Sequence, residues 1–355
     1  MKIVITGATG NLGTALLRRL VADHHELVGL ARRLPEPDER DSRVQWSMVD
    51  LTHEEADGTL RRAFRGADAV VHLAWGFQPS HDPDYLGRLG VGGTRRVLAA
   101  ATAEQVPHLV HLSSVGAYSP KLDDRPVDET WPTDGVPGST YSAHKVAAER
   151  LLDDHESTSA SSTGITRLRP GIVGQRAAAS ALLRYGVPGF IPARAIRFVP
   201  VLPLDRAMTI PVVHADDVAS AVQQVVSRRA LGAFNLAATE PVGPQHIAEV
   251  FGARTVHVPN RILRAATAAT WRTRLQKLDP GWLDLAMAVP VMDTSRARAE
   301  LGWVPMFDAK AVLRETLEGL QEAASAPTPA LRPRSVLGQL GDLARHGPIS
   351  RRRRT

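Results

Sequence analysis

The amino-acid sequence predicts an α/β protein with a doubly wound parallel sheet and a smaller C-terminal lobe. Short β-rich runs alternate with longer stretches of helical spacing through the first half, and a glycine-rich turn follows the first run. With 355 residues, of which 43% are apolar and 23% charged, the chain can bury the core of one large domain. It has no cysteine, which excludes disulfides, thiolate metal sites and a thiol nucleophile.

Six strands are predicted in the first half of the chain, with helices between most of them. The strands are Lys2–Thr6, Glu26–Ala31, Val44–Met48, Ala69–Leu73, His108–Ser113 and Gly164–Arg169. The clearest helical spacing is in Asn11–Ala22, Leu86–Glu104 and Tyr141–His155. Later elements are a strand at Ala233–Leu236 and helices at Asp216–Ser227, His246–Phe251 and Ala309–Glu322. Repeated strand–helix–strand units indicate a parallel sheet covered on both faces.

The net charge of +6 is confined to the C-terminal tail. Residues 326–355 contain seven arginines and one aspartate, a net charge of +6, which leaves zero for residues 1–325. Since binding to a phosphate backbone needs excess positive charge, we expect no nucleic-acid partner. No apolar run approaches the ~20 residues that cross a bilayer, and the first residues do not resemble a signal peptide. We therefore expect a cytoplasmic protein with no membrane partner.

Three glycines follow the first predicted strand at intervals of three and precede a helix: Gly7, Gly10 and Gly13. The first allows a tight turn, the second lets the backbone approach a pyrophosphate, and the third lets helix and strand pack closely. The free N–H groups and the positive dipole end of the helix favour phosphate. The sequence therefore predicts a dinucleotide site in a Rossmann-type fold.

Tyr141 and Lys145 lie one helical turn apart on the same predicted face. A phenol has an ordinary pKa of about 10, which is too high for a base at neutral pH. An ammonium below it and a cationic nicotinamide above would stabilise the phenolate. Of the four tyrosines, this one alone has a lysine four residues further on. The pair predicts the acid/base group of a hydride-transfer enzyme.

Together these motifs resemble the extended short-chain dehydrogenase/reductases, the NAD-dependent epimerase/dehydratase family. The resemblance covers roughly residues 1–322. Further family-like stretches follow in the expected order: Val70–Ala74, Val110–Tyr118, Arg169–Gly171, Val213–Val218, Phe234–Leu236 and Asp293–Trp303.

The resemblance implies a role for each matching residue. Tyr141 is the acid/base, Lys145 lowers its pKa and binds the nicotinamide ribose, and Ser114 orients the substrate oxygen. Ser113 is expected to be structural, and Asp50 to hold the adenine ring. The implied cofactor contacts are Gly7, Thr9, Gly10, Asn11, Leu12, Gly13, Arg32, Asp50, Leu51, Leu73, Ala74, Tyr141, Lys145 and Pro170.

The resemblance also implies the domain organisation. A single domain, 1–325, has its Rossmann core mainly in 1–170 with 209–237 and its substrate lobe mainly in 171–208 and 238–325. Residues 326–355 form a Pro/Arg-rich basic tail whose first part, 326–333, is predicted to be a linker. We expect the tail to be dispensable for catalysis. Family members are commonly dimers, which leaves a homodimer open for this chain.

The end of the second strand predicts a preference for NADP(H), with NAD(H) as the alternative. In this fold an acid at that position accepts hydrogen bonds from the ribose 2′-hydroxyl, whereas arginine pairs with a 2′-phosphate. Here the strand is followed by Arg32 and Arg33, without an acid. An arginine–phosphate contact is charge-assisted and can be bidentate.

The substrate side departs from the family pattern. Gly90 stands where the family usually has asparagine, and Trp75 and Phe77 stand where members often have small residues. These two aromatic residues are either core or the lining of a pocket for an apolar or aromatic substrate part. Four arginines could instead meet a nucleotide diphosphate: Arg176, Arg184, Arg194 and Arg197.

We expect an NAD(P)-dependent oxidoreductase that transfers a hydride to or from a hydroxyl or carbonyl carbon of a small molecule. The alternative is a nucleotide-sugar epimerase/dehydratase that uses the same residues. An alternative of another class is a non-catalytic dinucleotide-binding sensor.

Histidines and acids elsewhere are expected to be structural. No metal is expected, because His214 and Asp216 lack a third ligand, and Asp216 with Asp217 is predicted to cap a helix. His72 and His111 are expected to be core histidines with their hydrogen bonds satisfied.

Overall fold

The computed structural model describes residues 1–76, 82–158, 162–186, 193–273, 276 and 278–333, without the side chains of 184–186 and 197. Its strands β1 to β11 are Lys2–Thr6, Glu26–Ala31, Val44–Met48, Ala69–His72, His108–Leu112, Gly164–Pro170, Ile172–Gly174, Val201–Leu204, Val212–His214, Gly232–Leu236 and Arg254–His257. Its helices α1 to α12 are Asn11–Leu20, Ala56–Phe64, Pro83–Gly87, Gly93–Ala103, Thr140–Ser157, Ala179–Gly186, Ala215–Arg228, Pro244–Phe251, Asn260–Arg272, Gly281–Ala288, Ser295–Leu301 and Ala309–Glu322.

Seven parallel strands form the central sheet in the order β3-β2-β1-β4-β5-β6-β10. The order reverses at β1, which pairs with β2 on one side and β4 on the other. In open α/β sheets, ligands bind outside the carboxyl ends of the strands at this switch point. The doubly wound parallel sheet predicted from the sequence is confirmed.

Apolar layers cover both faces of the sheet. On one face, residues of β1 pack with α1 and α7, whose buried side chains include Leu16 and Val222. On the other face, α2 and α4 bury Leu60 and Val97 against β4 and β5. Because both faces are covered, the central strands are continuous apolar runs, as their sequences indicated.

The predicted helix Leu86–Glu104 is not continuous. It consists of α3 and α4 joined by one π-helical turn, residues 88–92. The glycines of this stretch weaken the helix, and the Thr94 hydroxyl donates a hydrogen bond to the Gly90 carbonyl at 2.8 Å. A Cβ at Gly90 would lie 3.0 Å from the Trp75 indole. The turn therefore brings the backbone close to an aromatic ring.

Further elements lie outside the central sheet. Two small parallel pairs, β7–β9 and β8–β11, lie outside the main sheet. Helices α9, α10 and α11 were not predicted from the sequence. No helix in the described part of the chain is both long enough and apolar enough to cross a membrane.

The segment 326–333, which was predicted to be a linker, packs on the domain. Leu331 is 2% exposed, and the Thr328 hydroxyl donates to the carbonyl oxygen of Thr9 at 2.9 Å. Just before it, the backbone N–H of Ser180 donates to the Ala324 carbonyl. The linker prediction is wrong for these residues because one buried leucine and one hydroxyl anchor them. The tail beyond Pro333, with Arg351–Arg354, lies outside the described residues.

Candidate active site

The glycine-rich turn connects β1 to α1 at the switch point. Gly7 has φ +73°, and a Cβ there would lie 2.7 Å from the backbone nitrogen of Ala74. A Cβ at Gly13 would lie 2.4 Å from the Gly7 carbonyl oxygen, so a larger residue at either position would force the backbone apart. A Cβ at Gly10 would project in front of the helix, with the Gly7 carbonyl as its nearest neighbour.

This turn fits a pyrophosphate. The first turn of α1 contains no acidic residue that would repel a phosphate. Its first backbone N–H groups have no partner within the helix and point toward the turn. Asn11 is held by Gln175, whose amide donates to the Asn11 carbonyl at 2.7 Å, and Leu12 packs in the core. The residues present therefore fit the phosphates of a dinucleotide.

Arg32 and Asp50 lie at the neighbouring strand ends. Arg32 follows β2 directly, and its guanidinium donates a hydrogen bond to the hydroxyl of Tyr85 on α3. Asp50 follows β3, and one of its carboxylate oxygens accepts from the backbone and the hydroxyl of Thr52. Leu51 is buried beside it. Both groups lie at the edge where the adenosine end of a dinucleotide would bind.

Leu73, Ala74 and Pro170 border the same crevice. The first two follow β4, with the Leu73 N–H donating to the Thr6 carbonyl at 3.1 Å. Pro170 ends β6 and is buried. Thr9 is buried within the glycine-rich turn. Their contacts with a cofactor stay predictions.

Ser114, Tyr141 and Lys145 come together beside the carboxyl end of β5. The hydroxyls of Ser114 and Tyr141 are hydrogen-bonded. The Lys145 ammonium donates to the Leu112 carbonyl at 2.8 Å and lies 5.9 Å from the centre of the Tyr141 ring. Since Ser114 and Lys145 are 8% and 1% exposed, water has little access to this group. The arrangement can transfer a proton to an oxygen placed beside Ser114 and Tyr141.

The electrostatics differ from the sequence expectation. Burial raises the pKa of Tyr141 to about 12, and the hydrogen bond with Ser114 opposes this only in part. Burial also holds the pKa of Lys145 well below its usual value, against the attraction of Glu149. The expected phenolate is therefore not favoured by the chain's own groups. At neutral pH the phenol is protonated and is a proton donor.

Glu149 and Ser142 support this group, and the sequence analysis missed both. Glu149, one turn after Lys145 on α5, forms a buried ion pair with Arg169 at 2.6 Å and accepts a hydrogen bond from Ser113. The Ser142 hydroxyl donates to the Gly116 carbonyl at 2.6 Å, which joins the start of α5 to the Ser114 loop. The helical spacing of Glu149 from Lys145 was the available signal.

The histidines divide into satisfied and unsatisfied ones. His72 is hydrogen-bonded to Thr6 at 2.7 Å and to Thr94 at 3.2 Å, as expected of a core histidine. His111 was expected to be satisfied too, but in the described part of the chain both of its ring nitrogens are buried without a hydrogen-bond partner. Its ring packs edge-on to that of Trp75, with the ring centres 6.3 Å apart.

The predicted Asp216–Asp217 cap is also corrected. The cap of α7 is His214, whose Nδ1 accepts from the Asp216 N–H at 3.1 Å. Asp216 pairs with Arg18, and Asp217 accepts from the backbone N–H groups of Met306 and Phe307. Among the described residues, no group of three or more metal-ligating His, Cys, Asp or Glu side chains occurs.

The residues predicted to bind substrate separate in space. Trp75 lies against the catalytic group, with its ring edge-on to Tyr141. Arg176 instead pairs with Glu322 of α12, and it does not line the cavity that borders Tyr141. Arg194 is exposed. Phe77 and the side chains of Arg184 and Arg197 lie outside the described residues.

Fold and site together define an α/β protein in which a glycine-rich turn and the group of Ser114, Tyr141 and Lys145 lie at the carboxyl edge of a parallel sheet. A model of the NAD-dependent epimerase/dehydratase family matches residues 3–237. The chain belongs to this family.

Individual relatives are more distant. An uncharacterized protein of Mycobacterium tuberculosis is 25% identical over 322 residues, which are 89% of this chain and 29% of that protein. The UDP-glucose 4-epimerase of Mycolicibacterium smegmatis is 31% identical over 163 residues, 43% of this chain and 50% of the relative. The chain therefore spans at most half of either relative.

A solved structure shows the same fold over most of the chain. The UDP-glucose 4-epimerase of Thermus thermophilus, in complex with NAD, matches with a TM-score of 0.68 at 21% identity. The match covers 91% of this chain and 100% of that one.

Proposed function

We propose that this chain is an NAD(P)-dependent oxidoreductase that transfers a hydride between a nicotinamide and a hydroxyl or carbonyl carbon of a small molecule. The observation that carries the proposal is the convergence of Ser114, Tyr141 and Lys145 beside a phosphate-binding turn at one switch point. Membership of an NAD-dependent family supports it. A sensor without turnover would not need the hydrogen-bonded serine–tyrosine pair.

The cofactor we propose is a nicotinamide dinucleotide held by the Gly7–Gly13 turn, with NADP(H) preferred. When bound, it supplies or accepts the hydride. Arg32 supports the phosphate preference, because it stands at the end of β2 where NAD-selective proteins have an acid. Its hydrogen bond to Tyr85 directs the guanidinium along the edge of the crevice.

The protonated Tyr141 hydroxyl supplies the proton that carbonyl reduction requires. The substrate carbon gains a hydride, and the substrate oxygen gains the proton of the Tyr141 hydroxyl, which yields an alcohol. Ser114 donates or accepts a hydrogen bond at the same oxygen. Lys145 contacts the nicotinamide ribose and, when charged, stabilises the phenolate that remains after proton transfer.

A nucleotide-sugar epimerase is the second candidate. Epimerisation would use the same three residues, and the Thermus thermophilus and Mycolicibacterium smegmatis relatives carry that name. The lining of the cavity beside Tyr141 bears on the choice between the two.

We assign the catalytic domain to residues 1–333. The extension beyond 325 is supported by buried Leu331 and by the Thr328 bond to Thr9. A homodimer stays a prediction from the family resemblance.

The test is the substitution of single residues of the proposed acid/base group. Tyr141→Phe keeps the ring and the cofactor site, so cofactor affinity should change little while turnover falls by about 10²–10⁴-fold. Lys145→Ala should reduce both, because it removes a ribose contact and a charge. A panel of ketones, aldehydes and nucleotide sugars identifies the assay substrate. Wild-type turnover by Tyr141→Phe would disprove its role, and cofactor binding without turnover of any substrate would favour a sensor.

A further inference from the structure

A cavity of about 270 Å³ borders Tyr141, between α3, the start of α5 and α10. Aromatic rings dominate its lining: Trp75, Tyr141, Trp271 and Trp282. Leu86 of α3 adds aliphatic surface to the wall. Ligand pockets of this kind are lined by apolar and aromatic side chains with a few polar groups that fix orientation. Here the polar group at the reacting position is the Tyr141 hydroxyl.

Two of these rings hold the phenol from different directions. The Trp282 ring centre lies 5.1 Å from that of Tyr141, with the planes inclined by 34°. The Trp75 ring is nearly perpendicular, at 80° and 6.4 Å. Both separations are within the range in which aromatic rings attract each other. A flat ring entering the cavity would meet aromatic surface on more than one side.

The described lining of the cavity carries few charged side chains. Among its described lining residues the formally charged side chain is that of Asp279, one oxygen of which accepts from the Gly281 N–H at 2.9 Å. His144 also lines the cavity, and burial lowers its pKa, so it is neutral at pH 7. The described lining contains neither arginine nor lysine. Arginine and lysine are the usual partners of a diphosphate, so the described lining favours an uncharged part of a ligand.

We propose that the substrate carries its reacting carbonyl or hydroxyl group on a flat apolar ring system, and that the Trp75–Trp282 cavity binds that ring. The substrate class is therefore an aromatic or ring-fused ketone and the corresponding alcohol, rather than a nucleotide sugar. This inference rests on the proposed function for its reaction, but the binding of the ring can be measured without turnover.

The binding test uses 2-naphthol as an unreactive aromatic probe, with the full chain saturated with NADP⁺. Isothermal titration should show binding of 2-naphthol and no displacement of it by UDP-glucose. Trp282→Ala should weaken probe binding by about tenfold, because a stacking face is lost, while Trp282→Phe should weaken it less than about threefold.

The turnover test compares 2-tetralone reduction with UDP-glucose epimerisation by the wild-type protein. Higher kcat/KM for the ketone supports the proposal. Competition by UDP-glucose, a higher kcat/KM for the sugar nucleotide, or probe binding that is indifferent to Trp282→Ala would overturn it. If Trp282→Ala does not fold, the wild-type competition still decides. Probe binding without reduction of any ketone would leave the cavity assignment standing and count against the proposed function.

Discussion

The ammonium of Lys145 lies 3.5 Å from the centre of the Trp75 ring, which covers it, and donates a hydrogen bond to the Leu112 carbonyl. A cation over an aromatic face is attracted to it, but burial disfavours the charge. Burial dominates here, because the pKa of Lys145 is held well below its usual value. Trp75 therefore controls how much water reaches the lysine.

Replacing Trp75 with alanine should raise the pKa of Lys145 toward its usual value. Water would then solvate the ammonium, which favours the charged form. The measurement is an NMR titration of ¹³Cε-labelled lysines, which is practicable because the chain has five lysines. Trp75→Phe is the control, since it keeps an aromatic cover and should move the pKa less. Identical titration curves for Trp75→Ala and wild type would contradict this role of the ring.

Arg32→Ala should lower the affinity for NADPH by about tenfold or more, because a charge-assisted contact with the 2′-phosphate is lost. The affinity for NADH should change by no more than a few-fold. Fluorescence titration with both cofactors measures this. Arg33→Ala is the matched control. The Arg33 side chain is more exposed than that of Arg32, so its removal should reduce NADPH affinity less. Tighter NADH than NADPH binding by the wild type would refute the preference.

Buried histidines should make the fold sensitive to acid. Burial lowers the pKa of His108 to about 4 and that of His72 to about 3, whereas the unfolded chain has values near 6.5. The stability they contribute is complete above pH 6.5 and is lost as the pH falls toward those values. At pH 5 each should cost about 2 kcal/mol of the free energy of unfolding.

The variant His108→Gln tests this directly. Urea denaturation between pH 7 and 4.5 should show a shallower loss of stability than wild type, by about 1 kcal/mol per pH unit on average. His53→Gln, at an exposed position, should retain the wild-type slope. Equal slopes for wild type and His108→Gln would show that the pKa of His108 is the same in the folded and the unfolded chain.

Truncation should separate the two parts of the C-terminal segment. A chain ending at Pro333 should keep its stability and cofactor affinity. A chain ending at Ser325 loses buried Leu331 and the Thr328–Thr9 bond, which together should reduce the free energy of unfolding by about 3 kcal/mol. Denaturation midpoints and cofactor titration measure both effects. Equal behaviour of the two truncated chains would restore the linker interpretation of 326–333.

Much of the sheet could be predicted from the sequence, because buried parallel strands are continuous apolar runs. β1, β2 and β3 begin and end at the predicted residues, and α12 does as well. The glycine-rich turn could be predicted too. Gly7 and Gly13 are required there, because any residue with a Cβ would break the close backbone contacts. At these positions the apolar pattern of the sequence and the steric requirements of the backbone predict the same structure.

The supporting contacts could not be predicted, because they join residues far apart in sequence. The Arg169–Glu149 ion pair and the Thr328–Thr9 bond depend on the tertiary arrangement. The pKa of Tyr141 differed from expectation for the same reason, since desolvation depends on which rings pack around the phenol. The spacing of Lys145 from Tyr141 indicated that the two side chains are close. It did not indicate how strongly burial would lower the pKa of Lys145.

The contact between Gly90 and Trp75 restricts the order in which this site can change. An asparagine at position 90, the residue usual in the family, would place its Cβ 3.0 Å from the indole, so that substitution alone would be damaging while Trp75 is present. Conversely, a small residue at position 75 would leave a void against Gly90. Each residue is tolerated because of the other, so effects of substitution at the two positions are not additive. Reaching the common family pattern therefore requires coordinated changes at both positions.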